Sequence, residues 1–211
     1  MKILFVSDKV VDRLYSPTIT ERCKEVELIV GCGDLPYYYL EFILSMLNVP
    51  LVYVHGNHDP EEEYLSDGTA IRGPNGGLNL HCHTHKEKGL LLAGLEGSIR
   101  YKDGRFQYTQ REMWLNVFYL IPKLVMNKLI YGRYLDVLVA HSPPYGIHNG
   151  DDRIHVGFKA FLWFMKTFKP RYLIHGHRHI YNPSEITKTQ FMETQVINIY
   201  PYKVIDVEAP A

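Results

Sequence analysis

The sequence predicts an α/β fold organised around a largely parallel sheet with both faces covered. Short apolar runs of strand character alternate with helical segments in the amino-terminal part. The runs are apolar at successive positions, as strands buried on both faces are. Five runs also end abruptly in Asp, Asn or His. They are Ile3–Ser7 at Asp8, Leu28–Gly33 at Asp34, Leu51–Gly56 at Asn57-His58-Asp59, Val137–Ala140 at His141, and Tyr172–Gly176 at His177-Arg178-His179. Ligands of open α/β sheets bind beyond the carboxyl ends of the strands, so these endings point to one site at one sheet edge.

In chain order, Lys2–Ser7 reads as a strand and Pro17–Lys24 as a short helical or turn region. Glu27–Cys32 is a second strand. Tyr38–Leu47 is a helix with Leu40, Ile43, Leu44 and Leu47 on one face, and Pro50–His55 is a third strand. Glu61–Asn79 carries turn chemistry, including Ser66-Asp67-Gly68 and Arg72-Gly73-Pro74-Asn75-Gly76-Gly77, and reads as loop. Leu78–His85 and Gly89–Ala93 read as a hairpin. Thr109–Ile130 reads as helix, with a kink or restart at Pro122. Tyr134–Ala140 is a strand, Ser142–His155 a loop, Val156–Phe168 an aromatic-rich helix and Arg171–His175 a strand. Gln195–Val207 closes the chain as a strand or hairpin. No linker-like tract, low-complexity segment or solenoid-period repeat intervenes, so residues 1–211 read as one domain.

Composition narrows the function. The 211 residues, 46% hydrophobic and 22% charged, suit a soluble globular chain with a well-buried core. Lys plus Arg equals Asp plus Glu at 23 each, so no net field favours nucleic acid or an anionic membrane, although a local basic patch is left open. Cys23, Cys32 and Cys82 are too few for a disulfide framework and fit a reducing compartment. Asp8 interrupts the first apolar run before a signal-peptide core can form. Trp114–Ile130 is broken by Asn116, Pro122, Lys123, Asn127 and Lys128, short of the ~20 apolar residues of a spanning helix. A cytoplasmic location and no transmembrane segment are expected.

Asp8, Asp34, Asn57, His141, His177 and His179 all occupy strand ends and can converge without being neighbours in sequence. A mixed set of carboxylate, amide oxygen and imidazole suits Mn, Fe, Zn, Co or Ni better than Ca or Mg. No cysteine has paired structural-zinc spacing. The succession Asp8, Gly33-Asp34, Gly56-Asn57-His58-Asp59, His141 and Gly176-His177-Arg178-His179 resembles the calcineurin-like metallophosphoesterase superfamily over nearly the whole chain. The resemblance implies a four-layer α/β/β/α sandwich, with two mixed sheets flanked by helices. It also implies two divalent ions, manganese favoured, that hydrolyse a phosphodiester or phosphomonoester through a bridging hydroxide. Asp34 would bridge the ions, Asp8 and His179 would hold the first, and Asn57, His141 and His177 the second. His58 would act as general acid, and Asp59 would orient it and raise its basicity.

One position departs from the family pattern. Where the family places a second histidine, two residues after the first aspartate, this chain has Val10. The first site is therefore expected to be weaker and more open, unless Asp12 reaches in. The partner expected is a small phosphate ester, with oligomerisation left open. Val10 motivates an alternative, a catalytically weak scaffold that binds a protein partner. A nuclease is the second alternative, not favoured by the balanced charge.

Other residues carry weaker signals. His81, His83 and His85 would share one face of a regular strand and could bind metal, but read as an exposed hairpin without a nearby carboxylate. His55 and His175 read as core or supporting residues. In the loop after His141, His148, Asp151, Asp152, Arg153 and His155 are candidates for substrate recognition. Arg178 could contact phosphate or form a salt bridge. Tyr37-Tyr38-Tyr39 could stack a substrate ring or pack in the core. The apolar helical stretches Met113–Val125 and Phe158–Met165 read mainly as core, with a partner surface or a greasy pocket for a lipid phosphate as the sharper reading.

Overall fold

Along the chain, β1 (Lys2–Val6), α1 (Ile19–Arg22), β2 (Val26–Gly31), α2 (Tyr37–Leu47) and β3 (Leu51–Tyr53) form the expected alternation. Short strands follow: β4 (Glu63–Tyr64), β5 (Ala70–Ile71), β6 (Gly77–Asn79), β7 (Thr84–Glu87), β8 (Leu90–Leu95), β9 (Ser98–Ile99) and β10 (Gln107–Tyr108). The remainder is α3 (Gln110–Tyr131), β11 (Val137–Ala140), α4 (Lys159–Phe168), β12 (Tyr172–His175), β13 (Lys188–Phe191), β14 (Thr194–Asn198) and β15 (Tyr202–Asp206). The structure, a computed structural model, describes residues 1–150, 152, 154–182 and 184–208.

Two mixed sheets stack face to face. The first has the order β15-β1-β2-β3-β6 and is parallel apart from β15. The second, β13-β14-β12-β11-β8-β7, is parallel through its middle and antiparallel at both edges. Successive side chains of each strand enter different layers. Ile3 and Phe5 of β1 meet Leu92, Val139, Ile174 and Ile197 between the sheets, whereas Leu4 and Val6 pack under α1 and α2. In the second sheet Leu138, Leu173 and Val196 turn outward beneath α3 and α4. The result is the four-layer α/β/β/α sandwich. Two-sided burial is why the strand runs are apolar without alternation, and each fully buried aliphatic residue contributes ~1.5–3 kcal/mol.

Local chemistry sets the ends of the longest helix. Thr109 accepts the Glu112 N–H at 3.2 Å and Glu112 accepts the Thr109 N–H at 2.7 Å, a reciprocal capping box. Gly132, at φ 74°, closes the other end. The helix continues through Pro122, where a restart was one expectation.

Three expectations change. The loop expected over Glu61–Asn79 contains β6, which adds a parallel edge to the first sheet by pairing Leu51–Tyr53 with Gly77–Asn79. Leu78–His85 is not one hairpin strand, because β6 lies in the first sheet while β7 pairs with β8 in the second. Cys82, at φ 54°, turns the chain between them. The closing segment divides likewise: β14 pairs with β13 and β12, and β15 crosses to β1.

Leu138→Ala, at a fully buried site between β11 and the α3–α4 layer, should cost about 2–5 kcal/mol in urea unfolding. Leu129→Ala, on the exposed side of α3, should change stability by less than about 0.5 kcal/mol. Equal effects would contradict the layer assignment.

Candidate metal centre

The carboxyl ends of β1, β2 and β3 from one sheet meet those of β11 and β12 from the other at a shared edge. The backbone is shaped to turn side chains back over that edge. Asp8, Asp34 and His177 all adopt left-handed backbone angles, at φ 63°, 56° and 61°. Asp, Asn and His tolerate that region best among non-glycine residues, but still at a cost of ~1–3 kcal/mol each. Two glycines clear the approach. A Cβ on Gly56 would lie 2.6 Å from Asp34 Cγ, and one on Gly176 would lie 2.5 Å from Asp8 Oδ2.

Asp34, His141 and His177 present ligand atoms within 4.8 Å of one another. His141 is fully buried, and its Nδ1–H donates to the Cys32 carbonyl at 2.8 Å. That bond leaves Nε2 facing Asp34 Oδ2 at 3.3 Å and Asn57 Oδ1 at 3.1 Å. Asn57 presents its oxygen because its Nδ2 donates to Tyr101 at 3.4 Å. His177 Nε2–H donates to the Ile154 carbonyl at 3.1 Å, leaving Nδ1 as the ring acceptor. Asp8 Oδ2 accepts from the His177 N–H at 3.0 Å and from the Ser7 hydroxyl. Its Oδ1 is buried, lacks a hydrogen-bond partner and lies 3.7 Å from His179 Nε2. His179 stacks on Tyr200, with ring centroids 4.5 Å apart.

These residues fit divalent cations. A buried carboxylate oxygen without a donor carries a desolvation cost that a cation removes. Charge balance points the same way. Burial alone would raise the Asp34 carboxyl, but the charge and hydrogen bond of His141, with the His58 N–H, hold it down at about 2. Burial works against a charged His141, yet Asp34 pushes it up to about 9. Burial and the neighbouring His141 push His177 down to about 3. The cluster thus takes up one compensating positive charge, which a proton or a metal ion can supply.

His58 is exposed at the rim of an adjoining cavity of about 410 Å³ that also borders Asp8, Asp34, Tyr101 and His155. Its backbone N–H donates to Asp34 Oδ1 at 2.7 Å. Asp59, expected to orient the His58 ring, does something else. Its carboxylate accepts the N–H groups of Gly56 (2.7 Å), Leu35 (3.0 Å) and Asp34 (3.2 Å), tying together the loops after β2 and β3. Burial, then the Asp34 charge, raise it to about 7.

Val10 packs against the core under α1 and α2, and Asp12 is exposed on the Tyr39 side, so neither joins the cluster. The turn at Cys82 also separates the three neighbouring histidines. His81 stacks on Tyr108 and accepts the Glu96 N–H, His83 donates to the His81 carbonyl, and His85 lies 3.3 Å from Glu87. Glu87 is thus a carboxylate partner close in sequence, where none is expected.

His55 is buried against Tyr37 and Glu96. Thr189, His148 and His175 form a chain that ends with His175 Nδ1–H donating to the Gly176 carbonyl, beside His177. Arg178 pairs with Glu185 at 2.9 Å. Tyr37 and Tyr39 are core residues whose hydroxyls meet Pro60 and Val11. Asp152 pairs with His155, while Asp151 and Arg153 lie outside the described residues.

Tyr101, Ile154 and Tyr200 were not anticipated. Only Tyr200 had a signal, since it follows Val196–Ile199, another apolar run with an Asn near its end.

A sequence model of the calcineurin-like phosphoesterase family matches residues 1–181. Among solved structures, TT1561 of Thermus thermophilus superposes with a TM-score of 0.60 at 15% identity, covering 93% of this chain and 88% of the other. GAP50, described as the anchor in the inner membrane complex of Plasmodium, superposes at 0.54 with 14% identity, covering 94% and 70%. No curated protein matches the chain.

Gly176→Ala should press a methyl group onto Ser7 Oγ and Asp8 Oδ2 and weaken binding of an added divalent cation at least about tenfold by calorimetry. Unchanged affinity would remove Asp8 from the site.

Proposed function

The chain belongs to the calcineurin-like phosphoesterase family, and on that premise we propose that it hydrolyses a phosphate ester, a diester slightly in preference to a monoester. The observation that carries this reading is the Asp34–His141–His177 cluster beside the unpartnered Asp8 Oδ1, opening onto a cavity with His58 at its rim. Asp34 stands between two unequal halves. Asn57, His141 and His177 would hold one ion, and Asp8 and His179 the other. Manganese is the favoured metal. Bound divalent ions supply positive charge for the phosphoryl oxygens and a strong nucleophile from water at neutral pH.

The protein's own groups then divide the remaining work. The His141 hydrogen bond to Cys32 turns its Nε2 toward Asp34, and the Asn57 bond to Tyr101 leaves its Oδ1 facing that same Nε2. Asp59 keeps the Asp34 and Gly56 backbones in register, a positioning role. His58 is placed at the cavity rim, where its imidazole can give a proton to a leaving oxygen. The unpaired thiols of Cys23, Cys32 and Cys82 favour residence in the reducing cytoplasm.

Val10 supports the second reading, a weakly active scaffold for a protein partner. Its side chain is committed to the core, so the first half of the site has fewer donors than the family pattern provides. Turnover of an aryl phosphodiester with added manganese separates the two. Wild type should turn over, and His58→Ala should lower kcat about 10²–10⁴-fold with metal content unchanged. Turnover that is absent, or indifferent to His58, would favour the scaffold.

A further inference from the structure

Helix α3 is apolar on two opposite sides. Met113, Val117, Leu120 and Leu124 face inward to the second sheet. The outward side carries Leu115, Phe118, Tyr119, Met126, Leu129 and Ile130, which are 48% to 76% exposed. On a helix of 3.6 residues per turn these six fall within one arc of about 120°, some 22 Å long, and no charged residue between Leu115 and Ile130 enters it. Scattered exposed leucines are ordinary, but an uninterrupted arc is not.

The surroundings of the arc are cationic. Helices α3 and α4 carry Arg111, Lys123, Lys128, Lys159 and Lys166 against one carboxylate, Glu112, a balance of +4 in a chain whose charges sum to zero. Glu112 is itself held by Arg100. The lysines are not spent on acids. Lys123 and Lys128 donate to the carbonyls of Cys82 and Gly132, and Lys159 and Lys166 lie over the rings of Tyr145 and Phe191.

From this combination we infer that the α3–α4 face docks on an anionic lipid surface. The arc enters the boundary between headgroups and acyl chains, and the cations meet the lipid phosphates. The charge selects this occupant over a second copy, since two such cationic faces would repel each other. Position supports it too. The arc lies on the outer side of an outer layer, where acyl chains can reach it. No helix among the described residues is long and apolar enough to cross a membrane, and the docking proposed needs none.

Docking would also orient the candidate metal centre. The amino-terminal ends of α3 and α4 are joined where Gln110 donates to the Gly157 carbonyl and accepts the Lys159 N–H, and Gly157 lies two residues along the chain from the cavity-lining His155. The cavity bordered by His155 would then open at the margin of the membrane footprint. The inference does not depend on the phosphoesterase reading.

Co-sedimentation of the full chain with phosphatidylcholine vesicles, with and without about 30% phosphatidylglycerol, tests it. Binding should be at least about tenfold stronger on the anionic vesicles and weaken at least about tenfold in Leu115→Glu/Leu129→Glu and in Lys159→Glu/Lys166→Glu, with Tm unchanged. Failure to bind anionic vesicles, or binding that neither double variant weakens, would overturn it. So would a dimer that Leu115→Glu/Leu129→Glu splits, or retention on polyglutamate without vesicle binding, which would indicate an acidic protein partner.

Discussion

Asp34 ties the two sheets together at the edge that holds the candidate site, through a charged contact with the buried His141. It comes from the end of β2 in the first sheet and faces His141 from the end of β11 in the second, at 3.3 Å. It holds that place only because its neighbours cooperate. Its own backbone adopts a left-handed angle, Gly56 leaves room for its carboxylate, and Asp59 clamps the Asp34 and Gly56 peptide groups of the first sheet together. A displaced Asp34 would leave His141 buried without a counter-charge and would separate the halves of the cluster. The sandwich core tolerates volume-conserving exchange, as cores generally do, but this contact depends on atoms at fixed positions.

Much of this was legible in the chain. Two-sided burial writes itself as unbroken apolar runs, so strands and layers could be read from residues such as Ile3–Val6 and Val137–Ala140. The polar ends of those runs could be read as one site because strand direction brings them to one edge. Other features left little trace. β6 is three residues long, too short for a pattern, and Leu78 within it is exposed. The turn at Cys82 depends on a backbone angle that no residue type announces. Asp59 looked like a partner for its neighbour His58, yet its acceptors are taken by backbone groups up to 25 positions away in sequence. Proximity along the chain misled there, because loops after adjacent parallel strands lie closer in space than their sequence separation suggests.

The two halves of the proposed site are supported unequally. His141 and Asn57 are buried and each is oriented by a second hydrogen bond, which fixes the ligand atom before any ion arrives. The other half has Asp8, with one satisfied and one unsatisfied oxygen, and His179, which is half-exposed and held by Tyr181 and Tyr200. Val10, turned into the core, adds nothing to it. Pre-organisation therefore predicts one firm site and one pliable site within a single cluster.

That asymmetry is measured most directly by titrating metal-stripped protein with manganese in a calorimeter. Two binding steps are predicted, the second at least about tenfold weaker than the first. His141→Ala should abolish the tight step, and Asp8→Asn should remove the weak step while leaving the tight one in place. No binding, or two equal steps that survive loss of His141, would contradict the account.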